Sequence, residues 1–167
     1  NYNPWIKDNT ETPANTTTNI CPVPTLHAIV WDNNTIDTMN ATWRSNSSGP
    51  WVSFATQTGI NNNTNITQTN GNFTQSNTTY YWSVNLTDGE GGWNNKTFHF
   101  TTNQKPEINN ISPHNGSTSI STTPTLYAVA SDADGDTMTA FWRYNDSNNW
   151  WTFATNTSIT TTTNITQ

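Results

Sequence analysis

Apolar and polar residues alternate along most of this chain with the two-residue period of β-strands. In Tyr80-Tyr81-Trp82-Ser83-Val84-Asn85-Leu86, positions 80, 82, 84 and 86 fall on one face and Asn85 on the other. Reading alternation together with Gly, Asn and Asp punctuation predicts strands near 24–30, 38–44, 51–56, 64–68, 79–87 and 96–102. Leu26, Ala28 and Val30 are expected to face inward, as are Met39, Ala41 and Trp43, and Phe98 and Phe100 alternate on the last strand. Helix is disfavoured, because Asn and Thr dominate while Ala, Leu, Glu and Lys are scarce. The expected fold class is all-β.

The same pattern occurs twice. Pro24-Thr25-Leu26-His27-Ala28 returns as Pro124-Thr125-Leu126-Tyr127-Ala128, and Asp37-Thr38-Met39-Asn40-Ala41-Thr42-Trp43-Arg44 as Asp136-Thr137-Met138-Thr139-Ala140-Phe141-Trp142-Arg143. Trp51-Val52-Ser53-Phe54-Ala55-Thr56 matches Trp150-Trp151-Thr152-Phe153-Ala154-Thr155, and Thr64–Gln68 reappears unchanged as Thr163–Gln167. A period of about 100 residues is the size of one immunoglobulin-like sandwich. The second copy therefore predicts strands near 124–130, 137–143, 150–155 and 163–167.

This repeat divides the chain into 1–22, a linker with an incoming strand; 23–103, a first sandwich; 104–113, a linker stiffened by Pro106 and Pro113; and 114–167, a second sandwich. Asn3-Pro4-Trp5-Ile6 corresponds in position to Lys105-Pro106-Glu107-Ile108. The second copy lacks counterparts of the first copy's last two strands, so it is expected to expose a long apolar edge. Truncation of a longer array explains this most simply. The alternative is strand donation between subunits.

Thr79 to Trp93, followed by Phe98-His99-Phe100-Thr101-Thr102, resembles the last hairpin of fibronectin type III domains, with its Tyr-x-Val strand, Gly-containing turn and closing Thr-Thr. The resemblance covers about a quarter of the chain directly, and the repeat extends it. Asp132-Ala133-Asp134-Gly135-Asp136 looks more like the Asp-rich turn of bacterial and archaeal cadherin-like or other immunoglobulin-like surface modules. Tandem Ig-like or fibronectin type III-like β-sandwiches are thus expected, the second incomplete. Such a resemblance implies spacers, adhesins or surface-layer components without catalysis.

Composition narrows the function classes. Only 10% of the 167 residues are charged, with five Lys or Arg and a net charge of −6. No basic patch is available to neutralise phosphates, so nucleic acid is not an expected partner. No apolar run approaches the ~20 residues of a membrane helix. Cys21 is the single cysteine, which leaves pairing between chains or, more simply, a small hydrophobe on a strand edge. Aromatic residues reach 12%, with nine Trp, which argues for packed cores over a disordered polar tract.

The most frequent motif is Asn-x-Ser/Thr, the acceptor of N-linked glycans. It begins at Asn15, Asn33, Asn40, Asn46, Asn62, Asn65, Asn72, Asn77, Asn85, Asn95, Asn110, Asn115, Asn145, Asn156 and Asn164. Composition alone predicts roughly eight such sites, so the excess is near twofold. Alternation sends Asn40 and Asn85 outward, and most others fall in turn-like stretches. A covalent glycan coat on an extracellular surface is the expectation, archaeal more than bacterial.

Other candidate chemistry is sparse. Asp132, Asp134 and Asp136 around Gly135 offer hard oxygen ligands for a structural Ca²⁺, against the plainer reading of a solvated turn. The first copy has only Asp32 and Asp37, with Asn33 and Asn34 between them. Trp43, Trp82 and Trp142 keep phase with apolar neighbours and belong to the core. Trp150 and Trp151 are adjacent, so one of them must face outward, where it could touch a glycan, a subunit or a domain joint. His27, His99 and His114 lie apart, the first two pointing outward, and only Glu11, Glu90 and Glu107 are glutamates. No nucleophile–base set or phosphate loop can be assembled, so no enzyme and no required cofactor are expected. The expected role is a filament, sheath, surface-layer or stalk component whose partners are copies of itself or neighbouring domains. A carbohydrate-binding or adhesin module using exposed Trp is the alternative.

Overall fold

The computed structural model describes residues 2–34, 36–160 and 162–167. The described residues form twelve strands and no helix. In order they are β1 (Trp5–Ile6), β2 (Thr25–Trp31), β3 (Met39–Ser45), β4 (Val52–Ile60), β5 (Thr64–Thr69), β6 (Thr79–Thr87), β7 (Trp93–Thr101), β8 (Glu107–Ser112), β9 (Tyr127–Ser131), β10 (Met138–Asp146), β11 (Asn149–Ile159) and β12 (Thr163–Thr166). All pairings between them are antiparallel. The chain divides into two compact units, Asn1–Asn103 and Gln104–Gln167.

Unit 1 has a three-stranded sheet ordered β1-β2-β5 and a four-stranded sheet ordered β4-β3-β6-β7. The faces that alternation marks as apolar are the buried ones: Leu26, Ala28 and Val30 from one sheet, Met39, Ala41, Trp43, Trp82, Val84, Leu86, Phe98 and Phe100 from the other. They form a single cluster. Trp43 stacks on Trp82 at 5.7 Å between ring centroids, Trp82 meets Phe98 at 4.5 Å, and Phe73 closes the end against Tyr80 and Phe100. Offset and tilted ring contacts of this kind add to the burial of large apolar area. The Trp43 indole N–H donates to Gln57 Oε1 at 2.9 Å, so its one polar atom is satisfied inside the core.

Unit 2 repeats this frame with five strands. Its three-stranded sheet is ordered β12-β9-β8, and β10 pairs with β11 alone. Registers carry over: Ile6 stands opposite Val30 in β1–β2, and Ile108 opposite Ala130 in β8–β9. The β10–β11 hairpin turns through Ser147 and Asn148, both at positive φ (52° and 69°), between paired Asp146 and Asn149. Two left-handed residues in a two-residue loop match the twist of the strands they join.

Four expectations need correction. Residues 104–113 are not a free linker, because β8 occupies 107–112 in unit 2's sheet. Residues 1–22 are tied to unit 1 beyond β1: Thr12 bridges to His27, Thr16 N–H donates to the His99 carbonyl, and Ile20 bridges to Thr102. Those cross-links partly cover His27, which is half-buried with Nδ1 shielded from solvent. Trp142 is only half-buried, because among the described residues β10 has no strand on its far side corresponding to β6.

Candidate glycan-bearing surface and exposed aromatic face

The placement of the sequons follows from strand alternation. In Asn40-Ala41-Thr42, Asn65-Ile66-Thr67, Asn85-Leu86-Thr87 and Asn164-Ile165-Thr166, the middle residue is buried while the asparagine and threonine lie on the opposite, solvent-accessible side. Positions i and i+2 share a strand face, so an apolar residue pointing inward necessarily presents both acceptor elements outward. Asn72-Phe73-Thr74 does the same in a loop. All fifteen sequon asparagines are exposed or half-exposed. Asn70, the one buried asparagine among the described residues, begins no sequon; it donates from Nδ2 to Ser45 Oγ at 2.8 Å.

Side-chain hydrogen bonds sort these sites further, since a glycan is attached through Nδ2 and leaves the side-chain oxygen available. Asn15, Asn40, Asn46, Asn156 and Asn164 are held by that oxygen. Oδ1 accepts from the His99 N–H, the Gly59 N–H, the Tyr81 N–H, the Trp142 indole and the Tyr127 hydroxyl respectively. Asn85 Oδ1 accepts from Asn95 Nδ2 across the β6–β7 pair. Asn62 differs. Its Nδ2 donates to the Asp32 carbonyl at 2.6 Å while its Oδ1 accepts the Asp32 N–H at 2.9 Å, a two-point clasp of one peptide segment. A sugar on Asn62 would break the shorter of those bonds. The sequon pattern alone could not distinguish it, because the clasp joins residues thirty apart.

Of the aspartates weighed as calcium ligands against a plain turn, Asp132 and Asp134 act as turn locks in this structure. Asp132 is buried and its Oδ1 accepts the Asp134 N–H at 2.9 Å; Asp134 Oδ2 accepts the Gln104 N–H; Asp136 is exposed. Asp32 repeats the first of these contacts with the Asn34 N–H at 2.7 Å, and Asn34 Nδ2 reaches Asp37 Oδ2 at 2.9 Å. A short acceptor side chain bonding two residues on is the usual Asx-turn device. Among the described residues, no group of three or more His, Cys, Asp or Glu is arranged to hold a metal ion. The structure thus does not gather Asp132, Asp134 and Asp136 into one ligand set.

Both members of the Trp150–Trp151 pair are exposed, at 60% and 55%, where alternation required only one. They sit on opposite faces of β11. Trp150 lies across from Asn145 and under the Arg143 guanidinium, 6.0 Å from its ring centroid, and Arg143 Nη2 also donates to the Trp150 carbonyl at 3.3 Å. Trp151 lies across from Tyr144, which packs on Phe153 at 6.1 Å. That second face, continuous with Trp142, is aromatic and open. Cys21 is exposed in a segment outside any strand, not on a strand edge. Among the described residues, no helix is long and apolar enough to cross a membrane. Searches against protein-family models and curated proteins return no match to this chain.

Proposed function

We propose that this chain is a structural segment of an extracellular glycoprotein, an array of tandem immunoglobulin-like or fibronectin type III-like β-sandwiches forming a filament, sheath, surface layer or stalk. The observation that carries this reading is the sequon placement: fifteen acceptor asparagines, all outside the cores, with Asn62 and Asn95 alone committing Nδ2 to a hydrogen bond among the described residues. A weakly charged surface rich in Asn and Thr gains solubility and protease resistance from covalent sugar.

The Ig-like assignment rests on three features, two of them in unit 1. The chain passes from the β1-β2-β5 sheet to the β4-β3-β6-β7 sheet after β2, returns after β4 and crosses again after β5, as in Greek-key sandwiches. The Gln75 N–H donates to the Tyr80 hydroxyl at 3.0 Å, tying the start of β6 to the backbone just upstream, which resembles the tyrosine corner of immunoglobulin-like domains. The repetition of the frame in unit 2 suits an array. In such a molecule function resides in length, stiffness and lateral contact, with copies of itself or adjoining domains as partners.

Site-resolved mass spectrometry of native material, before and after glycan removal, tests the reading. Sugar on Asn40 and Asn85 with Asn62 bare is the expected outcome; bare asparagines throughout would overturn it. The exposed Trp150 and Trp151 support a second reading, a carbohydrate-binding module. Glycan-array binding lost on Trp150→Ala or Trp151→Ala would favour that alternative.

A further inference from the structure

We infer that the outer face of β2 is the seat of the first sugar carried by Asn65: a pyranose N-linked there packs over Ile29 against the Trp31–Trp5 pair and stabilises unit 1. The inference rests on the glycoprotein reading and adds a contact which that reading does not require.

In β2, Leu26, Ala28 and Val30 point into the core, so His27, Ile29 and Trp31 line the opposite face. Ile29 stands opposite Asn65 of β5, and Trp31 opposite Trp5 of β1. Backbone hydrogen bonds show how close the first pair is. The Ile29 N–H donates to Thr10 Oγ1 at 3.1 Å and its carbonyl accepts the Lys7 N–H at 2.9 Å, both on the side of β1 and the segment after it. A residue in an antiparallel ladder turns both groups to one neighbour, so toward β5 the Ile29–Asn65 pair is of the non-hydrogen-bonded kind. Such pairs bring side chains nearest, with Cβ atoms about 4.5–5.5 Å apart.

Asn65 is exposed, and among the described residues its Nδ2 is uncommitted. A bond to sugar therefore leaves from directly beside Ile29. The next residue along that face is Trp31, whose ring lies 6.1 Å from that of Trp5 at 35°. Diagonal cross-strand neighbours are ~7–8 Å apart, within reach of a ring attached through the Asn65 amide. Ile29 and both indoles are half-buried, which leaves an apolar strip open from the acceptor across to β1. A pyranose carries C–H groups on its faces and hydroxyls on its rim. The C–H face suits the electron-rich face of an indole, while the rim stays in water. The tether selects the occupant: a sugar on Asn65 is held at this strip, whereas a free oligosaccharide must be captured from solution.

Unit 2 has the acceptor without the strip. Asn164 stands opposite Val129 in the same register, but Ser131 and Glu107 take the places of Trp31 and Trp5. The identical segments Thr64–Gln68 and Thr163–Gln167 thus meet different surfaces, and only the sugar of Asn65 finds an aromatic partner.

The test uses the glycosylated chain, with site-resolved mass spectrometry first establishing which sequons carry sugar. Thr67→Ala and Thr166→Ala each abolish one acceptor motif and leave its asparagine in place; the same variants made without glycosylation correct for the threonine itself. Urea midpoints are read from each unit's own amide signals. Loss of the Asn65 sugar should lower unit 1's folded-to-unfolded ratio about fivefold, and loss of the Asn164 sugar should change unit 2's by less than about twofold. Trp31→Ser, which installs the unit 2 residue, should abolish the first effect. NOE cross-peaks from sugar protons to the Ile29 methyls or the Trp31 ring are the direct signature, and they decide the matter should Trp31→Ser fail to fold. An occupied Asn65 without those cross-peaks, or with equal effects at the two sites, would overturn the inference and leave the glycoprotein reading standing. Asn65 bare while other sequons carry sugar would do the same, whereas bare asparagines throughout would sink both. Cross-peaks from added chitotriose, with none from the Asn65 sugar, would make the strip a lectin site and overturn the inference as well.

Discussion

Trp43 and Trp142 occupy the same place in the two units and have different fates. Both indoles donate to an amide oxygen fourteen residues on, Gln57 and Asn156; both are followed by an arginine that bonds the carbonyl of the tryptophan seven residues later. Yet Trp43 is fully buried and Trp142 only half. Contacts within the β3–β4 and β10–β11 hairpins are encoded locally and appear in both units. Burial requires the next layer, and only unit 1 has β6 and β7 to supply it. The difference separates what a hairpin determines by itself from what a closed core adds.

The largest predicted contrast follows directly. Trp43→Ala should lower unit 1's stability by about 3–5 kcal/mol, as expected for a buried aromatic. Trp142→Ala should cost unit 2 only about 1–2 kcal/mol, because less of its surface leaves water on folding. Urea midpoints read from each unit's own amide signals would show this, and equal losses would break the comparison. Next, Gln57→Leu leaves the Trp43 N–H buried and unsatisfied, at about 1–3 kcal/mol. Asn156→Leu should cost less, about 0.5 kcal/mol, because water reaches the half-exposed Trp142 indole.

Gly92→Ala sharpens the comparison from the other side. A Cβ at Gly92 would lie 2.1 Å from Asp88 Oδ2 and 3.1 Å from the Tyr2 carbonyl oxygen, while Asp88 Oδ1 accepts the N–H groups of Glu90 and Gly92. The turn joining β6 and β7 must then open, at about 1–3 kcal/mol. Exchange at β3 should rise toward that at β10, as measured by NMR. The smallest effect belongs to the sequon surface: Asn40→Gln removes one acceptor site and should move stability by less than about 0.5 kcal/mol. Intact mass and urea midpoint together check it.

Much of this architecture can be read from the sequence because alternation is strict where one face is buried. Leu26-Ala28-Val30, Met39-Ala41-Trp43 and Tyr80-Trp82-Val84-Leu86 all face inward as expected. β8 escapes that logic: Ile108 and Ile111 are three apart, both are exposed, and the flanking prolines look like a stiff linker. The partial exposure of Trp142 is legible only from the repeat, whose second copy has no counterparts of β6 and β7; its in-phase apolar neighbours alone point to a core position. Among the sequons, outward placement follows from the two-residue period, whereas the Asn62 clasp on Asp32 depends on a loop-to-loop contact without local signature. The Asp132–Asp136 cluster resembled a ligand set because one-dimensional spacing cannot distinguish oxygens aimed at an ion from oxygens aimed at the chain's own N–H groups.

Amide exchange in residues 1–167, comparing β3 with β10, tests the account most directly. Antiparallel strands direct successive N–H groups to alternate sides. The interior amides of Met39–Ser45 should be protected throughout, whereas in Met138–Asp146 every second amide, the set facing away from β11, should exchange fast. Uniform protection along β10 would contradict it, because that edge would already be covered and the two units would not differ as described.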